Sequence, residues 1–360
     1  MPAPHLQPVN DRSAWRGDEL ARAPQEWIYR LSATEIAELE AAAAAVKDRE
    51  LAQLRREDFR MPVLDASLAR IADEVDFGRG FCLLRGFPAE RHTVEECARV
   101  VWAVASRLGR AITQNAAGQL LGHVRDLGRK LGDKNVRGYD SNAELRFHVD
   151  ECDHSVLMCL RTAKTGGLSA VASSAQVFNQ LLATRPDALP KLFDGYVFSL
   201  MGEERPGVGP VSDHLIPIFS WFENRMSCRY TINTVLQAAQ YGAPISETER
   251  EILFSVQEAA KTPGLALSFA QEPGDIQLLN CLSTLHHRTS YEDFDEPGRK
   301  RHLLRIWLAA HRPRPLAPEF EQRFNGGWSF RRGIPVREQA AAGLLEAALP
   351  QRSNSVTVRT

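Results

Sequence analysis

Apolar and polar positions follow two different rhythms along this chain. In the first hundred or so residues apolar side chains recur every three or four positions, the signature of helices that bury one face. Residues 33 to 59 read as helix, capped by Ser32 or Thr34 and continued by an alanine-rich stretch. Residues 64 to 77 read as a second amphipathic helix, Phe81 to Gly86 as a short apolar strand and Thr93 to Leu108 as a further helix. Beyond residue 146 the period falls towards two. Ser155 to Arg161, Leu168 to Ser173, Val197 to Met201, Ile216 to Trp221 and Met226 to Thr231 read as strands, with Glu223-Asn224 as a hairpin turn. Helices at 175–184 and 246–260 interrupt the series. Leu265 to Phe269, Ile276 to Asn280 and Arg301 to Ala309 complete it, with Pro273-Gly274-Asp275 as a sharp turn.

Many short strands in one block predict a sandwich or jelly roll with helices set around it, an α+β chain. The pattern divides into an N-terminal helical extension (1–79), a β-rich domain (80–312) and a C-terminal tail (313–360) that opens on Arg312-Pro313-Arg314-Pro315. Leu127 to Glu144 is glycine-rich, polar and charged, and it immediately precedes a histidine-bearing strand. It reads as a loop over the site that orders when substrate binds.

Composition narrows the function classes. A length of 360 residues, 44% hydrophobic and 25% charged, is that of an ordinary globular chain. The net charge of −1 gives no general attraction to nucleic acid or to an anionic membrane. No apolar run is long enough to span a bilayer, and the first residues lack the basic-then-apolar order of a secretory signal. Six scattered cysteines without a C-x-x-C pair fit reduced thiols, so a cytoplasmic location is expected. The expected partner is a small molecule rather than nucleic acid or membrane; a homo-oligomer is compatible with all of this.

The chemistry concentrates in Phe147-His148-Val149-Asp150 and Leu285-His286-His287-Arg288-Thr289. In an extended strand alternate side chains share a face, so an imidazole and a carboxylate at 148 and 150 point the same way. One more histidine from another strand would complete a 2-His-1-carboxylate set with open positions on Fe(II). His286 is the candidate; His287 is its neighbour, and only one of the two can face a metal. His154 is a weaker competitor. Arg301 and Arg305 are four apart in a strand-like segment and share a face. Arg305 lies inside the apolar run Leu303 to Leu308, where a guanidinium is costly unless an anion meets it.

The ordered series His148-Val149-Asp150, Gly166-Gly167-Leu168-Ser169, Pro273-Gly274-Asp275, Asn280, His286 to Thr289 and Arg301 to Arg305 resembles the taurine dioxygenase (TauD/TfdA-like) family over roughly Gly80 to Ala309. The resemblance implies a double-stranded β-helix and dependence on Fe(II), 2-oxoglutarate and O2. It implies His148, Asp150 and His286 as iron ligands and catalytic centre. It further implies Arg305 as the partner of the distal carboxylate of 2-oxoglutarate, Arg301 one step back on the same strand, and Ser169 as a hydroxyl where the family often has threonine. The carboxylate at 150 speaks against halogenating relatives. The expected activity is oxidation, by default hydroxylation, of a small anionic organic substrate with release of succinate and CO2. Asn115, Arg137, Tyr139 and Arg229 are the polar groups expected at the pocket mouth. Desaturation, cyclisation or epoxidation at the same centre, or a non-catalytic binding or sensor protein, are the alternative readings.

Overall fold

The computed structural model describes residues 6–129, 138–205 and 207–337. Two sheets face each other across the site. The larger runs in the order β1 (Ile28–Arg30), β2 (Phe81–Arg85), β9 (Ile276–Asn280), β6 (His154–Arg161), β11 (His302–Ala310) and β3 (Gly109–Ile112), with β4 (Leu121–Val124) also paired to β11. The smaller runs β8 (Leu267–Phe269), β7 (Ser169–Ser173), β10 (Thr284–Arg288), β5 (Leu145–His148). Neighbouring strands come from distant parts of the chain, as in a double-stranded β-helix.

The period-two pattern of β11 shows how the sequence places the site. Leu304, Ile306 and Leu308 pack into a core shared with helices on the outer face of the large sheet, whereas Leu303, Arg305 and Trp307 point into the cavity between the sheets. Those helices are α1 (Ala33–Ala45), α2 (Pro62–Phe77) and α3 (Val94–Ala105). Leu64, Leu68, Ile71 and Val75 of α2 recur at helical spacing and are all buried; each such burial contributes about 1.5–3 kcal/mol. Ser32 and Thr93 close capping boxes with Glu35 and Glu96.

Several elements differ from the sequence reading. The helix expected over 33–59 stops at Ala45 and continues as two single 3-10 turns, Leu51–Gln53 and Arg56–Asp58. Val197 to Met201 forms no strand; within it only Ser199 makes an isolated bridge, to Val211, and Tyr196 just before it bridges Ile216. Residues 80 and onward do not stand apart from what precedes them, because β1 pairs in parallel with β2 at the edge of the large sheet. Nor is all that follows residue 313 a loose tail. Phe320, Phe324, Phe330 and Ile334 are buried, and Arg331 reaches Asp153 and Glu321. The Glu223-Asn224 turn is present, both residues in the left-handed region that such a hairpin needs. Gly274 is also where expected, at φ +91°, and a Cβ there would stand 1.7 Å from the Phe87 carbonyl oxygen. Among the described residues no helix is long and apolar enough to cross a membrane.

Candidate active site

β5 and β10 pair so that His148 stands directly opposite His286, their rings 4.1 Å apart between centroids. β5 ends at His148, but the Val149 N–H bonds to the Tyr230 carbonyl and keeps the chain extended, which returns Asp150 to the face of His148. One ligand atom from each of His148, Asp150 and His286 lies within 4.8 Å of the others. His287 points away, stacked on Phe147 and 2.8 Å from Glu144. His154 is also remote in function, since its Nε2 meets Asp76 at 2.9 Å in the interior.

The surroundings fix the three side chains in ligand form. His148 Nδ1 lies 2.8 Å from the Arg146 carbonyl, which can only accept; Nδ1 therefore carries the hydrogen and Nε2 keeps its lone pair. Burial and the neighbouring His148 push His286 down to about 3, so it is neutral at ordinary pH. Burial alone would raise the Asp150 carboxyl. The Arg305 charge and the Ser155 hydroxyl outweigh it and hold Asp150 well below the usual carboxylate range. Ser155 donates to Oδ2 at 2.7 Å and Arg305 Nη1 to Oδ1 at 3.2 Å. Two neutral imidazoles and one carboxylate, converging with a free side open to the cavity, fit the facial donor set of an Fe(II) site.

A cavity of about 150 Å³ opens from this cluster, and the two strand arginines sit at different ends of it. Arg305 is committed beside the triad, with Nε on Gln114 at 2.9 Å and Nη1 on Asp150. The anion that meets its charge in this structure is Asp150. Arg301 stands just ahead of β11 and lies against Gly167, next to the turn that leads into Ser169. Gly166 and Gly167 both have φ near +70°, and a Cβ on Gly167 would stand 3.4 Å from Arg301 Nε, in ordinary contact. The paired glycines turn the chain beside Arg301, and Gly166 also lets the Ser290 backbone approach closely.

The expected pocket-mouth residues separate. Arg229 is buried and fully engaged with Glu151 at 2.7 Å and with the Phe320 and Gln322 carbonyls, so it ties the C-terminal segment to the site wall rather than reaching a substrate. Asn115 closes a local turn, accepting from the backbone of Ala117 and Gln119 and donating to the Gln119 side chain. Arg137 and the side chain of Tyr139 lie outside the described residues, as does 130–137 of the expected loop. Sequence reasoning missed Ser155, Gln277, Arg288 and Arg323, all at the site. Ser155 and Gln277 carried a signal: each is a polar residue directly before an apolar run, Val156 to Leu160 and Leu278-Leu279.

Residues 47–307 match the taurine catabolism dioxygenase TauD, TfdA family. The chain is 34% identical over 309 residues to FR-33289 synthase of Streptomyces rubellomurinus, covering 84% of this chain and 90% of that protein. It is 30% identical over 335 residues to the taurine hydroxylase-like protein SAT17 of Stachybotrys chartarum, covering 88% and 85%. Its fold is similar to asparagine oxygenase solved with Fe(II), 2S,3S-3-hydroxyasparagine and succinate: TM-score 0.60, 18% identity, 78% of this chain and 93% of that one. The chain belongs to the TauD/TfdA family and is an Fe(II)- and 2-oxoglutarate-dependent dioxygenase.

Proposed function

We propose that the protein hydroxylates a small anionic organic molecule, with His148, Asp150 and His286 as the iron ligands. The convergence of these three ligand atoms carries the reading. When bound there, Fe(II) with 2-oxoglutarate supplies the oxidation, coupling reduction of O2 to decarboxylation of the oxo acid to succinate and CO2 and to hydroxylation of a C–H bond. The protein supplies position. Arg146 fixes the His148 tautomer, while Ser155 and Arg305 hold both oxygens of Asp150. Arg301 and Ser169 receive the distal carboxylate of 2-oxoglutarate at the far end of the cavity, a geometry in which the oxo-acid end lies towards the triad.

Charge supports an anionic substrate. Arg146, Arg288, Arg301, Arg305 and Arg323 line the cavity against Asp150 and Glu151. Five cations against two anions leave an excess of three, and a divalent metal and a dianionic cosubstrate cancel one another. Asparagine oxygenase, whose structure holds a hydroxylated amino acid with succinate, supports hydroxylation over desaturation or ring formation. The buried free cysteines support a reducing, cytoplasmic setting. The test is substrate-stimulated succinate release across matched anionic, zwitterionic and neutral acids, amides and esters, with products read by mass spectrometry. Stimulation by anions and a product 16 Da heavier are expected. Stimulation by neutral compounds alone, or loss of 2 Da, would overturn the reading.

A further inference from the structure

Arg288 is the one basic residue of the His286 to Thr289 motif that the chemistry above leaves unused. It follows His286 by two positions on β10 and so points to the same side, directly across from Ser169 on β7. Its guanidinium is buried. Nη2 donates to the Ser141 carbonyl at 2.9 Å and to the Ala143 carbonyl, while Nε and Nη1 are buried with no acceptor among the described residues. Arg301 Nη1 is in the same condition. The two guanidiniums flank the Tyr291 ring, at 4.7 and 5.1 Å from its centroid. Burial, and for Arg288 the charge of Arg301 beside it, pull both below the ordinary arginine range, Arg288 to about 10. Asp126 and Asp293 are the nearby acids, and one oxygen of Asp293 is spent on the Arg301 backbone N–H at 2.7 Å.

Two buried cations with three unspent guanidinium nitrogens are tolerated where an anion arrives. The spacing suits 2-oxoglutarate: two strand residues separate Arg288 from His286, roughly 7 Å, the reach from an iron-bound oxo acid to its distal carboxylate. Resting on the reading that this end of the cavity takes that carboxylate, we propose that Arg288 is a second anion-binding arginine, and that it links cosubstrate binding to the 141–143 segment ahead of β5. The same guanidinium would hold the carboxylate on one side and two backbone carbonyls on the other. Cosubstrate would then stiffen the chain that leads into His148.

The test compares Arg288→Met and Arg288→Lys with wild type, titrating the anaerobic Fe(II) protein with 2-oxoglutarate and with 2-oxobutyrate, which chelates the metal but has no distal carboxylate. The readout is the visible charge-transfer band. Arg288→Met should weaken 2-oxoglutarate by about ten- to a hundredfold and leave 2-oxobutyrate unchanged, and Arg288→Lys should recover part. Hydrogen exchange over 141–147 should slow on adding 2-oxoglutarate to wild type and not to Arg288→Met. Wild-type affinity in Arg288→Met, or equal loss for both oxo acids, overturns the proposal. Arg301→Met separates the two levels: if it too leaves 2-oxoglutarate binding intact, the distal-carboxylate reading itself fails.

Discussion

Replacing Arg305 by methionine tests whether Asp150 needs a positive partner when no metal is bound. Both side chains are nearly sealed from solvent, at 7% and 6% exposure. The substitution keeps the volume of the arginine stem but strips the cation from Asp150 Oδ1 and the donor from Gln114 Oε1. Among the described residues Ser155 is then the remaining hydrogen-bond donor to the carboxylate. Removing one partner of a buried pair costs about 3–5 kcal/mol. For a chain of 360 residues, an unfolding entropy of about 2.1 cal/mol/K per residue turns that into a Tm lowered by roughly 4–7 °C. Fe(II) or Mn(II), added anaerobically, brings a new positive partner to the same carboxylate. The Arg305→Met deficit should therefore shrink to less than half with metal present, so that metal stabilises the variant more than it stabilises wild type. Differential scanning fluorimetry of both proteins, stripped and reloaded, reads this directly. An equal deficit with and without metal would show that Arg305 acts through packing on Trp307 (4.8 Å) rather than through Asp150. No deficit at all would refute the electrostatic argument.

Three further outcomes are expected. His148→Ala, Asp150→Ala and His286→Ala should each lose the Fe(II)-induced rise in Tm and all substrate-dependent succinate release, whereas His287→Ala, whose partner is Glu144, should keep both; the reverse pattern for 286 and 287 would misassign the ligand. Gly274→Ala forces a Cβ against the Phe87 carbonyl at positive φ and should cost about 2–3 kcal/mol in urea denaturation, an unchanged midpoint counting against the geometry. His302 is held down to about 3 by burial and then by His123 and Arg161, so the folded protein resists a proton that the unfolded chain accepts near pH 6.5. Stability should fall as pH drops below about 6.5, by about 1.4 kcal/mol per pH unit for this group, and level off near 3. His302→Gln should flatten that fall between pH 6.5 and 4, and an identical slope would sink the assignment.

What the sequence could and could not convey follows from the range of each signal. The His148–Asp150 pairing is local, because two positions in one strand settle a shared face. The partner across the sheet is not local, and the choice of His286 over His287 rested on a family pattern; in the fold the register sets His286 opposite His148. Arg305 is the clearest limit. A guanidinium inside an apolar run demands an anion, and that demand was legible from solvation alone. Which anion answers it depends on the approach of β11 to the end of β5, 155 residues away in the chain, and in this structure it is the Asp150 carboxylate. Arg229 shows the same rule from the other side: it too is buried, and its anion is Glu151, the residue after Asp150. Buried arginines in this protein therefore do two kinds of work. Arg229 and Arg305 neutralise carboxylates the chain itself supplies at the triad. Arg288 and Arg301 have Asp126 and Asp293 nearby and, among the described residues, retain guanidinium nitrogens without an acceptor. Guanidinium nitrogens without an acceptor at one end of a cavity, and carboxylates already met by arginines at the other, give the site a direction, and that direction suits a dicarboxylate whose far end lies away from the triad.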